Sequence, residues 1–310
     1  MTKEVFENTI FDCKSTNTDH TQNVSATCAS GPKLLIVDGS NLLFQMFFGM
    51  PARIIGANGR TIQGTLGFVG ALLKMIRMTD PTHLAVLFDG ESHNPRTDLA
   101  EDYKANRPDY SQAAEEDNPF SQLPDIYAAL DYLGIAHAET TDCEADDWIS
   151  GYALTHGTNC DMVISSFDSD FFQLITDRVH ILRYRGDKSQ ICDPRYIQIK
   201  LGIRPDQYAD FKSLTGDTAD NIRGAHKVGP KTATALLREY DTLEQLLTQA
   251  ETIPKPSVRE SILRDKERLK VNYQLIKLQG CDQLPFSLEQ MEYRYSGVGT
   301  TEVLKAIGLK

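Results

Sequence analysis

The order of apolar and polar positions divides the first part of the chain into strand-like and helix-like segments. Four short, almost purely apolar runs lie at residues 34–37 (LLIV), 84–88 (LAVLF), 162–164 (MVI) and 179–182 (VHIL). Runs of this kind are typical of strands buried on both faces of a parallel sheet. Apolar residues recur at helical spacing between them, at 65–78, 123–133 and 145–154. The alternation predicts an α/β domain with a mainly parallel sheet flanked by helices.

Helical patterns dominate the rest of the chain. A short helix is predicted over about 207–214, and another from Pro230 to about residue 240, because proline is favoured at the first helical position. A long amphipathic helix is predicted over 257–279. The predicted divisions are a flexible Ser-, Thr- and Asn-rich tail (1–32), the α/β domain (33–185), a helical module (186–245) and a C-terminal helical segment packing on the core (246–310).

Composition excludes several classes of protein. The 310 residues are 41% hydrophobic and 24% charged, which is enough apolar material for sizeable cores. No apolar run approaches the roughly 18 residues of a membrane span, and the N-terminal segment lacks the apolar stretch of a secretory signal. Six scattered cysteines without a C-x-x-C pair argue against a zinc ribbon or disulfide scaffold. We therefore expect a cytoplasmic protein without a membrane partner.

The net charge of −11 hides two regions of opposite sign. Residues 38–177 carry 22 acids and 7 bases, whereas residues 178–238 carry 6 acids and 12 bases. The bulk value argues against a nucleic-acid partner, but the segment with a net charge of +6 removes that objection.

Acidic residues directly follow the predicted strands. Asp38 and Asp89 each come directly after an apolar run, and Asp168 and Asp170 come shortly after a third run. Ligands bind outside the carboxyl ends of strands in open α/β sheets, so these acids should converge on one edge. Each acid taken singly could instead cap a helix or be a solvated charge. Further candidates open a helix or sit in the next module: Glu144, Asp146, Asp147, Asp217 and Asp220.

Such a set of carboxylates cannot share a small site ionised without compensating charge. Oxygen ligands without cysteine or histidine favour Mg²⁺ or Mn²⁺ over zinc. Two ions about 4 Å apart are the usual arrangement for phosphodiester cleavage. The sequence therefore predicts a site for two divalent ions.

The motifs that carry these acids resemble those of the 5′-nuclease (flap endonuclease) superfamily. Within it, the chain resembles the 5′–3′ exonuclease domain of bacterial DNA polymerase I and its stand-alone bacterial and phage relatives. The resemblance runs from about residue 33 to 240 and implies a PIN-like core followed by a helix–hairpin–helix module. The matching motifs are IVDGSN (36–41), LFDG (87–90), CEADD (143–147), SSFDSDFFQLI (165–175), and LTGDTADNIRG with VGPKTA (214–233).

The resemblance implies a role for each acid at the metal site. It assigns to the first metal and its surroundings Asp38, Asp89, Glu144, Asp146 and Asp147. It assigns to the second metal Asp168, Asp170, Asp217 and Asp220.

The resemblance also implies an arch over the site, here about residues 90–123. Lys104 and Arg96 resemble the family's basic residues that contact the scissile phosphate, where a cation would stabilise developing charge. Tyr103 is expected to stack on a terminal base, and Arg107 to contact DNA. The arch departs from the family pattern at residues 115–117, which are acidic where basic residues would favour DNA threading.

Residues 205–240 resemble the helix–hairpin–helix variant that grips duplex DNA through its phosphates. Gly229 permits close backbone approach, and Arg223, Lys227 and Lys231 add positive charge. Lys227 stands where the hairpin usually has its first glycine. Members of the family often hold a K⁺ ion on hairpin carbonyls at this place.

The predicted function is divalent-metal-dependent hydrolysis of DNA at 5′ ends, flaps or nicks, by a monomer. No polymerase domain follows, so we expect the chain to act alone or beside a separate polymerase. The balance of exonuclease and flap endonuclease activity, and the use of RNA primer strands, stay open. One alternative is a haloacid-dehalogenase-type phosphatase. That chemistry requires a second aspartate two residues after Asp38, where this chain has Ser40. A non-catalytic DNA-binding paralogue is the other, and an RNA-directed nuclease is disfavoured by the duplex-binding hairpin.

Overall fold

A computed structural model describes residues 31–90, 95–100, 102–110, 112–281 and 283–310. The predicted tail therefore lies, except for its last two residues, outside the described residues. The strands of the main sheet are β1 (Lys33–Asp38), β2 (His83–Phe88), β3 (Ala136–Glu139), β4 (Asp161–Ser165), β5 (Val179–Arg183) and β6 (Gln190–Cys192).

The sheet has the order β3-β2-β1-β4-β5-β6, with β1 at its centre. Ile36 of β1 lies opposite Ala85 of β2 on one side and Ile164 of β4 on the other. All pairs are parallel except that of β6 with β5. The prediction of a mainly parallel sheet is thus confirmed. From β1 the chain continues to β2 and β3 on one side and then crosses to β4 on the other side of β1, which creates a crevice at the carboxyl end of β1.

Helices cover both faces of the sheet. The helices are α1 (Gly39–Gly49), α2 (Gln63–Thr79), α3 (Leu123–Leu133), α4 (Ala145–His156), α5 (Pro194–Leu201), α6 (Tyr208–Thr215), α7 (Pro230–Tyr240), α8 (Leu243–Thr248), α9 (Pro256–Ile276) and α10 (Thr300–Ala306). Alternate strand residues enter two separate cores: Leu35 and Val37 pack with α1, α2 and α3, whereas Leu34 and Ile36 pack with α4 and the C-terminal helices. This burial on both faces explains why the central strands β1, β2 and β4 carry unbroken apolar runs.

The helical module follows the sheet without a break in the packing. Pro32–Lys310 forms one compact unit, and the divisions at 185 and 245 stay predictions. A two-stranded hairpin, β7 (Gly216–Asp217) with β8 (Ile222–Arg223), links α6 to α7. The predicted helix at 257–279 is α9, which ends earlier, because Lys277 is extended. None of the helices in the described parts of the chain is long and apolar enough to cross a bilayer.

Asp265 ties α9 to the hairpin segment. Its carboxylate is buried, accepts a hydrogen bond from the His226 N–H at 3.0 Å, and pairs with Arg264 and Arg268. The hydrogen bonds from Arg264 and His226 and the charge of Arg268 hold the pKa of Asp265 well below its ordinary value of 3.8, against the opposing effect of burial. A depressed pKa contributes stability that is present above 3.8 and is lost as the pH falls below it.

We expect Asp265→Asn to lower the free energy of unfolding by about 2 kcal/mol at pH 7, because charged hydrogen bonds are lost. The difference in unfolding free energy between the variant and the parent should become smaller as the pH falls below about 4. Urea denaturation at a series of pH values measures both effects. Asp206→Asn, at an exposed ion pair with Arg204, is the control and should change stability by less than about 0.5 kcal/mol. A loss of stability that does not change with pH would contradict the stabilising role of the ionised Asp265 carboxylate.

Candidate metal centre and nucleic-acid interface

Asp38 is the last residue of β1 and the N-cap of α1. Its Oδ1 accepts a hydrogen bond from the Asn41 N–H at 2.9 Å, so the helix start fixes the carboxylate. Its Oδ2 accepts a hydrogen bond from the Ser166 hydroxyl at 2.8 Å, in the loop after β4. The carboxylate is therefore held between the carboxyl ends of two neighbouring strands.

Asp89 follows β2 and joins that strand to α4. Its Oδ1 accepts a hydrogen bond from the N–H of Ala145, the first residue of α4, at 2.9 Å. Its own N–H donates to the Ser40 hydroxyl at 2.9 Å. These contacts bring the start of α4, which carries Asp146, to the edge of the sheet where Asp38 lies.

Asp38, Asp89, Asp146 and Asp168 form what we call the central carboxylate cluster. Burial, then repulsion from Asp89, raises the pKa of Asp38 to about 7. Burial raises the pKa of Asp146 well above its ordinary value, with repulsion from Asp168, Asp89 and Asp38 adding to it. The Asp168 N–H donates to the Ser166 hydroxyl at 2.9 Å, which fixes the fourth member. The convergence that the sequence predicted is therefore present, and the cluster favours a compensating cation.

Asp170, Asp217 and Asp220 form a second carboxylate group next to the first. One oxygen from each lies within 4.8 Å of the others. The Asp170 N–H donates to Asp168 Oδ1 at 2.8 Å, which connects the two sets. Burial and repulsion from Asp168 raise the pKa of Asp170 to about 7, although Lys212 opposes this.

The second carboxylate group has the donors that a divalent ion requires. Asp170 Oδ1 is buried without a hydrogen-bond donor. Lys212 Nζ lies 3.1 Å from it without hydrogen-bond geometry, and pairs with Asp217 on the other side. An unsatisfied buried carboxylate oxygen among other carboxylates fits Mg²⁺ or Mn²⁺, which take oxygen ligands. Both sets of acids thus suit a hard divalent ion.

Glu144 and Asp147 lie at the N-terminus of α4 but pair with cations of the arch. The Arg96 guanidinium contacts both carboxylates, and the Lys104 ammonium contacts Glu144. Glu144 and Asp147 also form a reciprocal capping box on α4. Burial acts to raise the pKa of Glu144, but the charges of Lys104 and Arg96 outweigh it and lower the pKa. The two acids therefore border the central carboxylate cluster as partners of Arg96 and Lys104.

Tyr103 differs from its expected position. Its ring is only 7% exposed and packs in an apolar cluster with Leu275 and Ile276 of α9. The expectation that it stacks on a terminal base is not met in this conformation, because the ring is covered by the protein. Sequence position alone could not distinguish an anchoring aromatic from an exposed one.

The arch contacts the second carboxylate group through its backbone and through Arg107. Lys104 has a φ of 57°, which non-glycine residues rarely adopt, and its N–H donates to the Asp220 carbonyl at 3.1 Å. Arg107 pairs with the Asp220 carboxylate at 2.9 Å. Arg96, Lys104 and Arg107 are expected to contact DNA phosphates. Each must therefore first leave its carboxylate partner in the protein.

The hairpin residues assigned to DNA are exposed on one short segment. Arg223, Lys227, Gly229 and Lys231 all lie at the surface. Lys227 has a φ of 61°, the left-handed conformation that glycine adopts more readily, as its replacement of a family glycine implies. Gly229 is the N-cap of α7, and a Cβ placed on it would meet no protein atom within 4 Å. Open space at a helix N-terminus suits an approaching anion.

Lys212 is the main site residue that the sequence analysis missed. It lies five residues before Asp217 and two residues before the motif that begins at Leu214. The feature that could have indicated Lys212 is its position as the single lysine of α6, a helix whose other residues are mostly buried. Ser40 and Ser166 were also missed, although both lie within the quoted motifs.

An α/β fold with carboxylates clustered at one edge of its sheet is the class that this geometry defines, and comparison with known proteins gives the family. The chain matches "5′-3′ exonuclease, N-terminal resolvase-like domain" over residues 33–202 and "5′-3′ exonuclease, C-terminal SAM fold" over residues 203–297. The chain belongs to the 5′–3′ exonuclease family. The family predicted from the motifs is confirmed, and the phosphatase alternative is excluded.

Similar proteins include two DNA polymerases I. That of Rhizobium leguminosarum is 35% identical over 276 residues, 86% of this chain and 26% of the relative. The thermostable enzyme of Thermus aquaticus is 34% identical over 247 residues, 79% of this chain and 28% of the relative. The chain thus spans only about a quarter of the length of these relatives.

Two solved structures share the fold. The T5 5′-exonuclease with bound divalent metal ions (zinc) is 23% identical, with a TM-score of 0.66 over 79% of this chain and 89% of that one. The catalytic core of Rad2 in complex with DNA substrate is 16% identical, with a TM-score of 0.57 over 89% of this chain and 92% of that one. At these identities the likeness establishes the fold.

We expect Lys212→Met to weaken the metal-free protein, because it leaves buried carboxylates without their cation. The free energy of unfolding should fall by about 2 kcal/mol in EDTA, since loss of one partner of a buried pair is costly. Added Mn²⁺ should raise the melting temperature more in the variant than in the parent, because an ion that binds only the folded state stabilises it. Lys200→Met, at an exposed lysine, is the control. An equal Mn²⁺ shift in the variant and the parent would contradict the role of Lys212.

Proposed function

We propose that this protein is a divalent-metal-dependent 5′–3′ exonuclease and 5′ flap endonuclease that hydrolyses DNA phosphodiesters in replication or repair. The observation that carries the proposal is the meeting of the central carboxylate cluster and the second carboxylate group at the carboxyl edge of β1. Among its structural relatives, the T5 D15 flap endonuclease is described in a complex with DNA and metal ions, and Rad2 in a complex with DNA substrate.

The two sets of acids divide the metal binding. Asp38, Asp89, Asp146 and Asp168 would hold one Mg²⁺ or Mn²⁺ ion, and Asp170, Asp217 and Asp220 a second. When bound, the ions would activate water at neutral pH and would neutralise charge on the phosphate. Glu144 and Asp147 act from outside, by orienting Arg96 and Lys104. Within the family assignment to the first metal and its surroundings, Glu144 and Asp147 thus belong to the surroundings.

The chain's own cations stabilise the reacting phosphate. Lys104 and Arg96 lie beside the central carboxylate cluster, held there by Glu144. When a phosphate enters, these cations turn from the carboxylates to its oxygens and stabilise the negative charge that develops there. Tyr103 acts as an anchor of the arch, through its packing on α9, rather than as a stacking platform.

The hairpin segment binds the duplex away from the cleaved bond. The N–H groups at the start of α7, with Arg223, Lys227 and Lys231, meet backbone phosphates. A K⁺ ion on the hairpin carbonyls would belong to the same contact. Binding through phosphates is independent of sequence and falls steeply with salt concentration. The protein acts as a monomer in the cytoplasm, and RNA primer strands with the same 5′ geometry are substrates of the same site.

A cleavage assay on a flap labelled at its 5′ end tests the proposal. We expect Asp146→Ala and Asp168→Ala each to lower the single-turnover rate with Mg²⁺ by at least about a hundredfold, because each removes a carboxylate from the metal site. EDTA should abolish cleavage by the parent protein, and Mn²⁺ should restore it. Nicked and gapped duplexes run beside the flap separate exonuclease from endonuclease products.

Asp131→Ala is the matched control, since Asp131 is exposed at the end of α3 and outside the site. It should cleave at the parent rate. Near-parental cleavage by both site variants would refute the metal assignment. A parent protein that binds the flap but does not cleave it with either ion would instead support the non-catalytic paralogue.

A further inference from the structure

The acidic stretch of the arch faces two arginines from another part of the chain. Glu115, Glu116 and Asp117, which we call the acidic triplet, form a short turn of 3-10 helix. Arg53 pairs with Glu116 at 2.9 Å and also contacts Asp117. Arg60 lies 3.8 Å from Glu115. Every side chain of the acidic triplet therefore has an arginine partner.

The two arginines come from the loop at residues 50–62, which is fixed to the body. The loop closes on itself through a bridge between Ile55 and Thr61, and its Ala57 N–H donates to the Leu309 carbonyl at 3.0 Å. Arg60 also pairs with Asp125 on α3 at 2.8 Å. The loop that carries the partners of the acidic triplet is thus anchored to α3 and to the C-terminal segment.

Aromatic contacts bring the same part of the arch to α1. Phe44 of α1 lies 5.7 Å from the ring of Tyr110 and 5.4 Å from that of Phe120, so the contacts flank the acidic triplet in the chain. These edge-on contacts each contribute a small attraction. Since Asp38 is the N-cap of α1, these contacts join this part of the arch to a helix that starts at a candidate metal-site acid.

We infer that Arg53 and Arg60 are positioning residues that hold the C-terminal end of the arch against the loop at 50–62. The inference rests on the proposed function, because it concerns how the arch stands over the nuclease site. The acidic triplet then has a structural role. Its side chains pair with the two arginines and do not face a DNA strand threaded through the arch. The pairs are about half exposed, so salt at physiological concentration weakens them.

The ion pairs of Arg53 and Arg60 are weak enough to break when a substrate enters. Single exposed pairs contribute little, but two arginines sharing four carboxylates give a contact that is stronger than one pair. Removing Arg53 takes away the attraction that holds Glu116 and Asp117 to the loop at 50–62, and a glutamate in its place would repel both acids. Reversing all three charges restores attraction in the same geometry.

Hydrogen exchange of the backbone amides at residues 112–122 tests the inference without reference to cleavage. Arg53→Glu should speed exchange there by about fivefold, in line with the loss of two exposed pairs. The triple variant Arg53→Glu, Glu116→Arg and Asp117→Arg should return exchange to near the parent rate. In steady-state assays on the 5′ flap, Arg53→Glu should raise KM by a similar factor with little change in kcat.

Arg294→Glu is the matched control, since Arg294 is exposed near the amino end of β2, at the opposite edge of the sheet. It makes the same change in net charge and should leave exchange at 112–122 unaltered. If Arg53→Glu does not fold, Arg53→Gln removes the charge more mildly and should speed exchange by about twofold. Unchanged exchange in the folded Arg53 variant, or failure of the triple variant to restore it, would overturn the inference. An inactive parent protein with the expected exchange pattern would refute the proposed nuclease and leave the contact standing.

Discussion

Repulsion among buried carboxylates is the constraint on which the rest of the structure depends. The parallel sheet brings the ends of β1, β2 and β4 to one edge, and an aspartate lies at each of these ends or within three residues after it. Burial, with repulsion from neighbouring aspartates, raises the pKa of Asp38 and the pKa of Asp170 each to about 7. The carboxylates of such a site stay ionised together at neutral pH only with cations, supplied either by the chain or by bound metal.

The chain supplies part of that charge itself, and this changes the meaning of its acidic composition. Residues 38–177 contain only seven bases, and five of them pair with acids of the site or of the arch. Those five are Arg53, Arg60, Arg96, Lys104 and Arg107. Lys212, from the basic segment, adds a sixth cation between Asp170 and Asp217. The scarce positive charges of the body are thus concentrated at the nuclease site and the arch.

Much of the fold was predictable because its main signals are local. Buried strands at β1, β2 and β4 gave unbroken apolar runs, and the acids after them followed from strand direction alone. The strands β3 and β6 were missed because they are short and partly polar, and gain their stability from pairing at the sheet edges. The burial of Tyr103 and the insertion of Lys212 depend on α9 and α6 meeting the site. Contacts between distant segments leave no periodic signal in the sequence.

Anomalous X-ray scattering from crystals grown with Mn²⁺ tests the central claim most directly, because it locates the ions independently of activity. The account predicts two peaks about 4 Å apart at the carboxyl edge of β1. One should lie among Asp38, Asp89, Asp146 and Asp168, and the other beside Asp170 and Asp217, with Lys212 displaced. Saturating Mn²⁺ with no peak at this edge, and Lys212 still between its two carboxylates, would contradict the account.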